Sequence, residues 1–254
     1  MTDRVRGAPN VEKQKCLGEI PLFAALDEVE LARLAAAAVT RRYDRGEVIE
    51  VEGGRANALR IVRSGVIKLL ATAADGREQV LRLVPAGQTF NLVAVIDGQP
   101  NAATAVALDQ STVYSLDRSV VLALIERRPE IARAALLALA ASTRRMVGLA
   151  KDLALHHVTE RVARLLLEQE RAGCERCRRH YLTQQEMATI VGTAREVVGR
   201  TLHDFQAAGI ITLDHGHITV IDHERLRAVA RERHTRRANR EPEAHAAAHP
   251  TGTR

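Results

Sequence analysis

No tryptophan occurs among the 254 residues, and phenylalanine and tyrosine appear only three times each. A core must therefore be built from leucine, valine, isoleucine and alanine. Three cysteines, an odd number, do not make a disulfide framework. The opening stretch "MTDRVRGAPNVEKQKC" has no apolar segment of the kind a secretory signal needs. The longest apolar run, Ala134 to Ala141, falls far short of the roughly 20 residues that cross a bilayer. These absences point to a cytoplasmic protein with no membrane partner. The chain shows no nucleophile–base pair and no phosphate-cradling loop, which argues against an enzyme.

What is present is charge. Lys and Arg outnumber Asp and Glu, for a formal net charge of +6 and a pI near 9.7. That balance favours a polyanionic partner, although a basic composition alone is weak evidence for nucleic acid. The hydrophobic and charged fractions, 46% and 27%, are ordinary for a folded soluble chain. The length suits one large domain or two modest ones.

The most informative stretch is "TIVGTAREVVGRTLHDFQAAGII", residues 189 to 211. Gly199 lies inside a helical pattern, where it costs roughly 1 kcal/mol relative to alanine. At about 100° per residue, Arg195, Glu196, Gly199, Arg200 and His203 share an arc of about 140° without an apolar side chain. Ala194, Val197, Val198, Thr201, Leu202, Phe205 and Ala208 form the opposite, apolar stripe, wide enough to sit on a core. Arginine presents a planar fork that matches guanine O6 and N7, and a carboxylate accepts from cytosine N4. A glycine between them lets the helix approach a neighbouring surface closely. A solvated charged face with a tolerated glycine is the alternative for such a helix in isolation.

Its surroundings decide between the two. Thr183 followed by Glu186 is a capping box, which predicts a first helix from Gln184 to Val191. Gly192 permits the left-handed residue that ends it, and Thr193 can cap a second helix from Ala194 onward. Two helices joined by a short glycine turn form a helix-turn-helix. After Gly209, "IITLDHGHITVI" alternates on both sides of Asp214-His215-Gly216, as a tight hairpin does, and adds a wing.

"LTQQEMATIVGTAREVVGRTL" followed by "GIITLDHGHITVID" resembles the DNA-binding end of the CRP/FNR superfamily, and the similarity extends over residues 19 to 228. Arg195, Glu196 and Arg200 stand where that family keeps its base-reading Arg-Glu-x-x-x-Arg. The resemblance implies an α+β architecture: a β-roll like that of cyclic-nucleotide-binding domains, a long dimerisation helix and a winged helix-turn-helix. It implies a homodimer on double-stranded DNA, with RNA polymerase as a further partner. The DNA-contacting set it suggests is Thr183, Thr193, Arg195, Glu196, Gly199, Arg200 and His203. Two rivals are a cyclic-nucleotide-binding regulatory module, which the Arg-Glu-x-x-x-Arg helix counts against, and an architectural DNA binder without promoter specificity.

The rest of the chain divides accordingly. Residues 1–18 read as an extension. Residues 22–39 read as a helix, with Asp27 as a cap, that enters a β-roll domain over 19–128. Gly46, Gly65 and Gly87 punctuate the strands of that domain. Residues 129–156 form a long helix beginning at Pro129. Its stripe of Ile131, Ala135, Ala138, Ser142, Arg145, Leu149 and Asp152 suits a helix-to-helix seam or burial on the β-roll, and the resemblance favours the seam, the helix pairing with its twin in a homodimer. The winged helix-turn-helix occupies 157–228, and residues 229–254 form a polar tail that reads as disordered. His156 and His157 fall at the junction before the DNA-binding part, as a titratable pair or as an exposed helix-end pair.

Family members that bind nucleotides hold them with Gly-Glu, Arg-Ser and Thr-Ser pairs. A gap-free alignment puts Asn91 and Leu92 at the first pair, Ala102 and Ala103 at the second, and Met146 and Val147 at the third. This predicts an apolar pocket and counts against cyclic AMP, because an unpaired buried phosphate is costly. A hydrophobic effector, haem and a collapsed empty site all remain open, and no cofactor is assigned. "CERCRRH" sets Cys174, Cys177 and His180 at a spacing that clasps zinc only incompletely, so free thiols on a linker are the simpler reading.

Overall fold

The computed structural model describes residues 10–171, 182–214 and 217–231. It opens with α1 (Asn10–Gly18) and α2 (Glu28–Ala37), which pack on each other. Residues 10–18, read from the sequence as an extension, thus belong to the folded body, with Leu17 fully buried. Asp27 starts α2 through a capping box, its carboxylate accepting from Glu30 N while the Glu30 carboxylate accepts from Asp27 N. The sequence pattern begins this helix at residue 22, but the chain turns through Leu22, Phe23 and Leu26, all buried, before the cap. Apolar spacing alone does not distinguish a helix from a turn whose side chains face a core.

Eight strands follow: β1 (Val39–Tyr43), β2 (Val48–Glu50), β3 (Ala58–Ser64), β4 (Val66–Thr72), β5 (Glu78–Pro85), β6 (Thr89–Phe90), β7 (Thr104–Ala107) and β8 (Ser111–Asp117). They form two four-stranded antiparallel sheets, ordered β1-β8-β3-β6 and β2-β7-β4-β5. Pairing of the first strand with the last makes the layout a roll. Val62, Ile67, Val84, Phe90, Ala105 and Val113 fill the space between the sheets. Gly65, between β3 and β4, has φ +84°, and a Cβ there would strike Ser111 Oγ and Asp109 Oδ1. Only glycine fits that corner.

Between β6 and β7 lies α3 (Leu92–Asp97); after β8 come α4 (Arg118–Arg127) and the long α5 (Pro129–Leu155). Pro129 occupies the first turn of α5, where its missing N–H costs nothing. Ile131 and Ala135 are buried in a cluster with Leu17, Ile20, Phe23, Leu116 and Val121, and Ala138 packs against the same cluster. The stripe that begins at Ile131 is therefore covered, in its first half, by the chain's own N-terminal body. Ile131 and Ala135 are thus buried on the chain's own body, against the helix-to-helix seam that the resemblance favours for them, while Ser142, Leu149 and Asp152 farther along are half-buried and Arg145 is exposed.

Among the described residues the C-terminal part contains α6 (Val158–Arg171), α7 (Gln184–Val191), α8 (Arg195–Ala207), β9 (Ile211–Asp214), β10 (His217–Val220) and α9 (His223–Arg231). Val162, Met187, Val198, Leu202, Ile211 and Leu226 lie in one apolar cluster. That cluster also takes in Val66 and Leu108 from the roll. Two polar ties cross at the same place: the Arg45 guanidinium meets the Glu186 carboxylate at 2.7 Å, and Gln79 Nε2 donates to the Ile190 carbonyl at 3.2 Å. The helix-turn-helix is docked on the roll. Among the described residues no helix is long and apolar enough to cross a membrane.

Candidate functional site

Thr183 caps α7: its Oγ1 accepts from Glu186 N at 3.2 Å, and its own N–H donates to Glu186 Oε2 at 2.7 Å. Burial works to raise the Glu186 carboxyl, but these bonds from Thr183 and the Arg45 charge outweigh it and hold it below the usual carboxylate range. At the other end Gly192 adopts φ +75°, ψ 53°, and its N–H donates to Ala188 O. A Cβ on Gly192 would meet the Gln79 side chain and stand 2.9 Å from Leu153 Cδ2, so the turn is pressed against β5 and α5.

The second helix begins one residue later than the sequence pattern predicts. Ala194 is its N-cap and no side chain caps it, so Thr193 does not serve as the cap. Thr193 lies half-buried in the turn instead. Along α8 the division into faces is clear. Val198, Thr201, Leu202 and Phe205 are buried, while Arg195, Glu196, Arg200 and His203 are exposed and Gly199 is half-buried among them. Ala194 and Ala208, assigned by angle to the apolar stripe, are exposed because they lie at the caps, outside the helix proper.

Gln184, which sequence reasoning passed over, reaches this face from α7. Its Oε1 stands 3.2 Å from the place a Gly199 Cβ would occupy. Behind α8, β9 and β10 pair with Ile211 opposite Val220 and Asp214 opposite His217, the two-stranded wing. The arrangement offers two fork-shaped cations and a carboxylate on one rigid exposed helix, the chemistry that base edges in a major groove require.

A second feature lies in the roll. A cavity of about 620 Å³ is lined in part by Asn91, Leu92, Ala102, Ala103 and Met146. Val147 does not line it and is 49% exposed on the outer side of α5. Nor is the cavity wholly apolar, because Arg82 of β5 and Arg145 of α5 also line it, with Glu50. Sequence reasoning missed both arginines because neither belongs to a recognised pair. Asn91 has φ +71°, the one non-glycine residue with positive φ among those described. Its Nδ2 donates to Asn101 Oδ1 at 2.9 Å, and Asn101 is itself buried. Haem does not fit this donor set: Met146 is the one soft donor lining the cavity, with no imidazole or thiolate among the described residues beside it.

On the outer side of α5 the exposed residues Leu136, Ala140, Thr143, Val147, Ala150 and Ala154 recur at alternating four- and three-residue steps. This seam, not the one starting at Ile131, is free of the chain's own core. Where α5 ends, His156 is no exposed pair with His157. It is half-buried, with Nδ1 2.8 Å from Glu160 Oε2, and Arg164 bonds to Asp152 beside it. Cys174, Cys177 and His180 lie outside the described residues, and no group of metal ligands occurs among those described.

Fold and site together define a DNA-binding regulator: a cyclic-nucleotide-binding type of roll joined by a long helix to a winged helix-turn-helix. Comparison with known proteins places it more closely. Residues 40–128 match the cyclic nucleotide-binding domain model and residues 160–229 the Crp-like helix-turn-helix domain model. The chain is 31% identical to the CRP-like cAMP-activated global transcriptional regulator of Mycobacterium tuberculosis over 85% of its length and 98% of that protein. It is 33% identical to the cyclic AMP receptor protein of Thermus thermophilus over 83% of this chain and 96% of that one. FixK2 of Bradyrhizobium japonicum shares the fold, with a TM-score of 0.67 at 23% identity, covering 76% of this chain and 96% of that one. The chain belongs to the CRP/FNR family of DNA-binding transcription regulators and is not an enzyme.

Proposed function

We propose that the protein acts in the cytoplasm as a homodimer that reads a palindromic promoter site through α8 and works with RNA polymerase. Residues 19–128 form the sensor in this reading, 129–156 the dimerisation helix and 157–228 the DNA-binding domain, and the buried Leu17 extends the sensor to α1. The observation that carries the reading is α8 itself. Arg195, Glu196 and Arg200 are exposed on a helix whose opposite face, Val198, Leu202 and Phe205, is locked into the core. The exposed α5 seam supports the dimer, since pairing there covers Leu136 and Val147, otherwise 67% and 49% exposed. Two-fold symmetry then presents two recognition helices one DNA turn, about 34 Å, apart.

The effector in this reading is not cyclic AMP. Asn91 stands where the family has glycine and keeps a left-handed backbone that asparagine tolerates, which supports the alignment. The next position, a glutamate in nucleotide-binding members, is Leu92, and it is buried. An arginine pair can hold a phosphate, but a nucleotide also needs partners for its ribose and base, and those positions hold Leu92 and Met146.

The test is selection of a binding site from random DNA by the full chain, followed by competition between that site and random duplex at fixed salt. The expected site is a palindrome bound about 10³-fold or more tighter than random DNA. Equal affinity for both would make the protein an architectural binder.

A further inference from the structure

We infer that the cavity in the roll binds an amphiphilic anion, an apolar body carrying one carboxylate or phosphate, with the charged group held between Arg82 and Arg145. The inference rests on the reading of this cavity as the effector site and names the class of effector.

Its basis is an unbalanced charge on the wall of a largely apolar cavity, half-buried Arg82 on one side and the more exposed Arg145 on the other. Leu69, Phe90, Leu92 and Ala138 are among the lining side chains, and the volume of about 620 Å³ lies in the range of small-molecule sites. Three charged groups line the cavity: Arg82, Arg145 and Glu50. Glu50 is already engaged, since Arg60 Nε donates to it at 2.6 Å and Asn101 Nδ2 at 3.3 Å. Among the described residues the two arginines have no such partner. Arg82 donates only to neutral acceptors, the Thr89 carbonyl at 3.2 Å and Gln88 Oε1 at 2.6 Å. None of the ion pairs among the described residues includes Arg82 or Arg145. Burial, and then the nearby Arg145 charge, push the Arg82 guanidinium down to about 10, still protonated at neutral pH.

Two like charges beside an apolar cavity are unfavourable until an anion joins them, and guanidinium forks bind carboxylate and phosphate in two-point fashion. The apolar lining then takes the rest of the ligand. The two arginines belong to β5 and α5, so a ligand held by both ties the roll to the long helix. β5 also carries Gln79, bonded to the Ile190 carbonyl of α7, which gives the ligand a short route to the helix-turn-helix.

The experiment is calorimetric titration of the full chain with octanoate, decanoate and 2-naphthoate, with octan-1-ol as the uncharged analogue and cyclic AMP as a separate arm. At least one carboxylate should bind at one per chain, and octan-1-ol about tenfold or more weaker than octanoate, as loss of a charged hydrogen bond implies. Arg145→Ala, an exposed position, should weaken carboxylate binding about tenfold or more and leave octan-1-ol unchanged. Arg82→Lys should weaken it as well, because the fork is lost while the charge stays. Failure of every carboxylate to bind, equal binding of octanoate and octan-1-ol, or an Arg145→Ala variant that binds like wild type would overturn the inference. Cyclic AMP binding that Arg145→Ala weakens would support the anion site and overturn the exclusion of nucleotides. Carboxylate binding that leaves DNA affinity unchanged would keep the ligand class and overturn the effector role.

Discussion

Gln184 lies across Gly199, its Oε1 3.2 Å from where a Cβ would stand. The glycine that looked from the sequence like an allowance for DNA thus also accommodates the side chain that crosses from α7. Gln184 is flexible at its far end and can yield to a methyl group. Gly199→Ala should change stability by less than about 1 kcal/mol, the gain in helix propensity offsetting the displaced amide. Gly199→Leu should still fold yet lose specific DNA binding, because the larger side chain emerges on the reading face. Thermal denaturation paired with titration of the selected site checks both, and a Gly199→Leu variant with wild-type affinity would contradict the close approach.

Arg45 and Glu186 join the roll to α7 at 2.7 Å, with the arginine side chain 55% exposed and the glutamate 15%. Removing the pair by Glu186→Gln, which keeps the cap, should therefore cost no more than about 1 kcal/mol at neutral pH. The sign with pH follows from the lowered carboxyl. A group whose native pKa is depressed binds its proton first in the unfolded chain, so its contribution is complete above the ordinary value of 4.5 and disappears as pH falls through the native value. Urea midpoints of wild type and Glu186→Gln should differ at pH 7 and converge toward pH 3. A gap that persists unchanged to pH 3 would show that the carboxylate charge contributes nothing.

The two sides of α5 should respond differently to substitution. Ile131 is fully buried, and Ile131→Ala should cost about 2 to 5 kcal/mol of stability. Val147→Lys, at a half-exposed seam position, should leave the chain folded but turn a dimer into a monomer. Sedimentation and denaturation on the same samples separate these outcomes. A folded Val147→Lys dimer would place the interface elsewhere.

Cyclic AMP should change neither thermal stability nor DNA affinity. A ligand at 100 times its dissociation constant stabilises by about 2.7 kcal/mol, which a melting curve detects readily. A shift of several degrees at millimolar cyclic AMP would refute the alignment that puts Leu92 at the glutamate position.

Much of the DNA-binding end was legible because its signals are local. The capping box at Thr183 and Glu186, the left-handed Gly192 and the alternation around the wing each act within a few residues. The exposed polar face of α8 followed from helical angle alone. What the sequence concealed depends on contacts between distant segments. The burial of Ile131 and Ala135 needs α1 and β8 beside them, so the outward seam of α5 could not be told from the inward one by period. Arg82 and Arg145 are far apart in the chain and meet only at the cavity, and Gln184 reaches Gly199 only through the crossing of two helices.

Whether α8 reads bases is measured most directly by titration of wild type, Arg195→Ala, Glu196→Ala and Arg200→Ala against the selected palindrome and each of its single-base variants. Salt must be held fixed, because phosphate contacts make affinity steeply salt-dependent. Each substitution should cost about 1 to 3 kcal/mol on the palindrome and remove the preference at one base pair per half-site, guanine for the arginines and cytosine for the glutamate. If all three variants keep the wild-type base preferences, the exposed face of α8 is only a charged surface and the recognition assignment is wrong.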